Sequence, residues 1–272
     1  IAVTTCNGFE MENIPAGQPG EVHAKVEGKP YKPETYPGRM RWGEIHIWDK
    51  HGKPKYEDAF PGISISNGIH IDKDDNLYVL MDQNRMMGDK PYPLSWASTL
   101  VKVKPGKGKV ISAEKDDVPL PLAKESWPNR SRDIMDGWVE NNEWLYGGVG
   151  FSGMRCGGSD TCVCWNARPA LDLFGRSFAP EIDHYSVAVL DTNGNLILRI
   201  GQYGNVDDGK PLVADNGPKN STSIGGDEVA LYQAAYLATF SDRRLFISDG
   251  GNQRILSVKL DYHKNQKIKL KQ

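Results

Sequence analysis

The sequence has no run of eighteen apolar residues, so no segment reads as a membrane-spanning helix. It has no excess of either charge: 33 Lys and Arg stand against 35 Asp and Glu, a formal net charge of −2. That balance excludes a nucleic-acid binder run by a basic surface, and a binder of anionic membranes. Helical stripes of apolar residues with caps are scarce. There are four cysteines and no Cys-x-x-Cys, which removes the usual zinc-site spacing and a covalent c-type haem. No Gly-x-Ser-x-Gly nucleophile elbow is present. None of the six histidines is paired at i, i+2 or i, i+4. The chain opens on Ile1, without an initiator Met or a leader, and the expectation is a processed, trimmed or internal start.

What is present is turn-forming chemistry. Glycine (29) and proline (17) are abundant, as in proteins made of many short strands. Two hairpin units recur. One is Asn67–Leu80, strand, polar turn, strand; Trp138–Gly147 follows it with Asn141-Asn142 as its turn, and Ala235–Ser248 does so again. The other is clearest at Tyr185–Ile200, around Asp191-Thr-Asn-Gly, with further copies at Glu44–Lys53, Leu100–Lys109 and Ile255–His263. Two hairpins make a four-stranded antiparallel sheet, and a series of such sheets is how a β-propeller is built. A plain blade takes about 40–45 residues; the wider spacing here implies long inter-strand insertions.

Leu245-Phe-Ile-Ser-Asp-Gly-Gly-Asn-Gln-Arg-Ile255 resembles the NHL repeat: an apolar strand, then Asp249, Asn252, Arg254 and Ile255. Leu77–Arg85 is a shortened echo, with Asp82, Asn84 and Arg85. The resemblance implies an all-β, NHL-like β-propeller of four-stranded antiparallel blades over 1–272. NHL rings commonly have six blades, whereas the strand pairs here make about three and a half: one ending before residue 63, then 67–111, 134–201 and 232–262. The expectation is an incomplete ring within this chain, the C-terminal part of a propeller, or a divergent blade hidden in 1–38.

Several motifs invite sharper readings. Gly148-Val-Gly-Phe-Ser-Gly153 matches G-x-G-x-x-G, but no helix start follows, so it reads as a turn at a strand end. Asp72–Asn76 and Asp191–Asn195 begin like EF-hand loops, yet Leu77 and Leu196 stand where glycine is required. Both read as strand-connecting turns. Propellers related to the NHL type include an amidating lyase with a histidine-held zinc in its channel; on that analogy His70 and His184 are the metal candidates, with zinc or calcium as the ion. Asn205, Asp207 and Asp208 offer oxygen ligands for calcium, although a solvated turn is the plainer reading.

The segment 151–183 reads as a Cys-rich insertion. It carries Cys156, Cys162 and Cys164, which with Cys6 are the disulfide candidates. It also carries Trp165, Arg168, Phe174, Arg176 and Phe178, a composition suited to an interface or a pocket wall. The even cysteine count, with Asn-x-Ser/Thr matches at Asn129 and Asn220, suits a periplasmic or secreted protein. The function read from the sequence is a binding or scaffolding propeller that docks a protein partner or other subunits. The alternative is a metal-dependent lyase, hydrolase or oxidoreductase with its site at the channel mouth.

Overall fold

The recurring local unit is a tight turn led by aspartate. The computed structural model describes residues 2–6, 25–26, 29–30, 38, 43–63, 66–92, 97–113, 121–150, 167–205, 229–240 and 243–260. In the turn at Asp72, one carboxylate oxygen accepts the backbone N–H groups of Asp74 at 2.9 Å and Asn76 at 2.8 Å. Asp172 does the same for Phe174 and Arg176, Asp191 for Asn193 and Asn195, and Asp49 for His51 and Lys53. The fourth residue of each turn is left-handed: Gly52 at φ 78°, Asp75 at 60°, Gly175 at 76° and Gly194 at 80°. Aspartate leads because its short carboxylate reaches two turn amides at once. Glycine or aspartate stands fourth because few side chains tolerate that φ. The two EF-hand-like stretches are thus strand-connecting turns.

These turns join strands into antiparallel sheets. The first sheet holds β1 (Ala2–Cys6), β2 (Gly43–Trp48) and β3 (Pro54–Tyr56). The second is a meander of β4 (Ser66–Ile71), β5 (Leu77–Met81), β6 (Ser98–Val103) and β7 (Asn142–Val149). The third is β8 (Ala170–Leu171), β9 (Ser177–Glu181), β10 (Ser186–Leu190) and β11 (Leu196–Ile200). The fourth is β12 (Ala234–Phe240), β13 (Arg244–Asp249) and β14 (Arg254–Lys259). Among the described residues the only helices are two short 3-10 turns, at Lys124–Ser126 and Ile182–His184. The chain is all-β, and the described sheets do not close into a ring.

Consecutive sheets pack face to face, and the cores lie between them. Leu77, Val79 and Met81 of β5 turn toward Ile45 and Ile47 of the first sheet. Tyr78 and Leu80 turn the other way, toward Ala179, Ala188 and Leu190 of the third. Phe178, Val187 and Val189 then meet Leu237, Leu245 and Ile247 of the fourth. All residues of β5, β6, β9 and β10 are buried. Burial on both faces explains why β5 reads as an unbroken apolar run, Leu-Tyr-Val-Leu-Met, while β6, β9 and β10 also bury polar residues such as Thr99, Lys102 and Glu181. Each fully buried Leu or Val contributes about 2 kcal/mol of hydrophobic stabilisation.

The structure departs from the sequence reading in three places. Trp138–Gly147 is not a hairpin: Gly137–Glu140 pairs with Lys109–Ser112, while β7 pairs with β6. The chain changes sheets at Asn141, whose φ is 53°. Leu100–Lys109 separates in the same way, β6 entering the second sheet and the strand from Lys109 leaving it. Blade boundaries move accordingly, to 66–149 and 170–200. The expected insertion 151–183 shortens, because Ala170–Leu171 and Ser177–Glu181 are regular strands of the third sheet.

The NHL-like residues hold the fourth sheet together. The Asp249 carboxylate, fully buried, accepts the N–H groups of Tyr232 and Gln233, Asn252 Nδ2 at 2.6 Å and Arg254 Nε at 3.4 Å. Arg254 Nη2 donates to Ala230 O at 2.6 Å. In the echo, Arg85 donates instead to the Asp133 carbonyl. Gly148, within β7, and Gly150, just after it, have φ of 86° and 60°, and Gly150 N–H donates to Pro180 O of the third sheet; residues 151–153 lie outside the described residues.

Candidate functional site

The first strands of the second, third and fourth sheets lie side by side and are linked by hydrogen bonds. His70 Nε2 lies 2.8 Å from Pro169 O. Thr239 Oγ1 donates to Leu171 O at 2.8 Å. Arg168 N–H donates to Ala235 O, and Leu237 N–H to Arg168 O, forming a parallel bridge to Tyr236. The first two of these strands run into the turns at 72–76 and 172–176, and after the third the N–H of Arg243 donates to Phe240 O, closing its turn. A cavity of about 500 Å³ opens between the three turns. That volume lies within the range of small-ligand sites.

The cavity has apolar and charged walls. Leu173, Phe174 and Phe240 line it and are 76%, 67% and 62% exposed. Arg176 is held against Asp172 by two bonds of 2.6 Å and lies over the Phe174 ring, 5.3 Å from its centre. Lys73 pairs with Asp74 at the surface, at 2.8 Å. Arg244 donates to Ser257 Oγ. The Arg243 guanidinium, also lining the cavity, has no ion pair or hydrogen bond among the described residues. The basic side chains Lys73, Arg176, Arg243 and Arg244 outnumber the acidic Asp72 and Asp172 by two.

His70 and Asp72, both lining the cavity, titrate away from their ordinary values. Burial pushes the His70 pKa below its ordinary value, partly opposed by the Pro169 carbonyl. His70 is therefore a neutral imidazole at pH 7, donating through Nε2 and leaving Nδ1 as an acceptor. For Asp72, burial raises the pKa, but bonds from Asn76, Asp74 and Tyr78 outweigh it and hold the carboxyl below its usual range.

Of the sequence candidates, His70, Phe174 and Arg176 converge on this cavity. His184 does not: it is exposed, in the 3-10 turn after β9, at the opposite end of its sheet. Its neighbour Asp183 has a raised pKa through burial, with His184 pulling it back. Arg168 binds the fourth sheet through its backbone and exposes its side chain. Phe178 is fully buried between the third and fourth sheets. Trp165, Cys156, Cys162, Cys164, Asp207 and Asp208 lie outside the described residues, as does the Cys6 side chain. Among the described residues no three His, Cys, Asp or Glu side chains group as a metal site would require. The sequence reading missed Phe240 and Arg243. The signal was there: they stand at the first and fourth turn positions, which elsewhere hold aspartate and glycine or aspartate.

No protein-family model and no curated protein sequence matches the chain. Among solved structures it is similar to a calcium-binding protein, regucalcin, from Agrobacterium tumefaciens strain C58, at 17% identity and a TM-score of 0.31. The match covers 79% of this chain and 45% of that one, so the chain spans less than half the length of that structure. It is also similar to a protein of unknown function from Bacteroides caccae, at 14% identity and a TM-score of 0.28, over 79% of this chain and 70% of that one.

Proposed function

We propose that the chain is part of an NHL-like β-propeller and acts as a binding or scaffolding subunit, docking a further antiparallel sheet of a partner protein on its fourth sheet. The observation that supports this is an open face. Among the described residues the second and third sheets are covered on both sides, whereas the fourth is covered on one. Tyr236, Phe246 and Ile255 stand on its outer side, exposed by 43%, 36% and 73%. Cross-strand pairing places them on one surface, with Ala238 opposite Phe246 and Ser248 opposite both Tyr236 and Ile255. Exposed large apolar side chains on one sheet face, here set among Ser248 and Ser257, suit an interaction site. A sheet is the fitting partner, because sheet-on-sheet packing is how the other faces are covered. The cysteine content and the Asn-x-Ser/Thr matches favour a periplasmic or secreted setting.

A photo-reactive residue at Ile255, in the chain expressed in its native cells, tests this reading. A cross-link to a protein is expected there and none at exposed Lys90. Equal labelling at both positions, or none at 255, overturns it. The metal-enzyme alternative is not favoured among the described residues, where His70 and His184 stand at opposite ends of their sheets.

A further inference from the structure

We infer that the cavity between the three turns binds an aromatic carboxylate, with Arg243 as its anion partner and Phe174 and Phe240 as its apolar walls. The inference is independent of the sheet-docking reading. It starts from a backbone anomaly. Arg243 has φ 64°, in the turn position that Gly52, Asp75, Gly175 and Gly194 fill in the Asp-led turns and that Gln253, at φ 52°, fills away from the cavity. A long β-unbranched side chain gains nothing locally from a left-handed backbone. Strain of this sort gathers at functional positions, and here it delivers a guanidinium to a cavity rim.

The charge inventory selects the ligand. Arg176 is neutralised by Asp172, and Lys73 is paired with Asp74. Arg244 donates to Ser257 Oγ, so among the described residues Arg243 is the lining cation without a partner, and a guanidinium fits a carboxylate through two parallel bonds. A phosphate would call on converging backbone N–H groups as well. Those of the two neighbouring turns are taken: Asp72 holds the amides of Asp74 and Asn76, and Asp172 those of Phe174 and Arg176. The exposed Phe174, Phe240 and Leu173 favour a flat apolar body and penalise a heavily hydrated anion. The excess of basic side chains repels cations.

Titration calorimetry of the full chain with phenylacetate, phenylacetamide and inorganic phosphate tests this. Phenylacetate is expected to bind, with the neutral amide and phosphate at least tenfold weaker. Arg243→Gly and Arg243→Gln each lose at least tenfold in affinity. The glycine variant melts no lower than the parent, since glycine suits φ 64°, so its loss of binding is not a loss of fold. Ile255→Asp, on the docking face, binds phenylacetate as the parent does. Equal binding of acid and amide, tighter binding of phosphate, undiminished binding by Arg243→Gly, or no phenylacetate binding at millimolar concentration overturns the inference.

Discussion

The imidazole Nε2 of His70 lies 2.8 Å from the carbonyl oxygen of Pro169, tying the first strand of the second sheet to the segment that opens the third. The bond lies beside the cavity and in a partly buried place, so its protonation state is coupled to folding.

That coupling has a sign. The folded pKa of His70 is lowered by burial, so the unfolded chain takes up a proton first as the pH falls. Stability from this group is full above the unfolded value of about 6.5 and declines as the pH drops below it. Urea denaturation of the parent from pH 7.5 downward should show falling stability, and His70→Gln should flatten that slope. An unchanged slope in the variant would place the titration elsewhere.

Asp249 is fully buried and gathers two backbone amides, Asn252 and Arg254. Asp249→Ala leaves those donors without an acceptor and Arg254 without its counter-charge, at a cost of about 3 kcal/mol. Denaturant midpoints would measure it. Asp74→Ala, at an exposed surface pair, should cost less than about 0.5 kcal/mol.

Gly52 and Gly194 separate backbone strain from crowding. Their φ values are 78° and 80°, yet a Cβ on Gly52 meets nothing within 4 Å, while one on Gly194 comes 2.6 Å from Trp144 Cγ. Gly52→Ala should cost about 1 kcal/mol, from the left-handed backbone alone. Gly194→Ala should cost at least about 2 kcal/mol, because Trp144, bonded through Nε1 to Thr192 O, must also move. Near-equal melting temperatures for the two variants would contradict this.

Ile255 is 73% exposed, so Ile255→Asp removes little buried surface from the chain itself. Its thermal stability should stay within about 0.5 kcal/mol of the parent, while cross-linking from position 246 to the partner should disappear. A variant that unfolds would show instead that this face is covered within the chain.

Hairpins with Asp-led turns were legible in the sequence, since donors and acceptor lie within five residues. Asp191–Asn195 follows that pattern, and the pairing of β10 with β11 followed from it. Trp138–Gly147 misled because Asn141-Asn142 is good turn chemistry in either outcome; Glu140 finds its partner at Lys109 rather than across the turn. His70, Phe174 and Arg176 were picked out one by one for their chemistry, but nothing local placed them at one cavity. The turn position of Arg243 is legible by comparison with the Asp-led turns, whereas its left-handed φ is not written in its residue type.

The sequence by itself determined the strands, the turns that join them and the all-β class, because those rest on hydrogen bonds between near neighbours. Only the tertiary structure decided which strands share a sheet, which sheet face is left open and that Arg243 stands by Phe174. Those relations join residues far apart in the chain, such as Ser98 with Val149 or Phe174 with Arg243, and they are set by the packing of apolar faces, which favours burial without naming a partner.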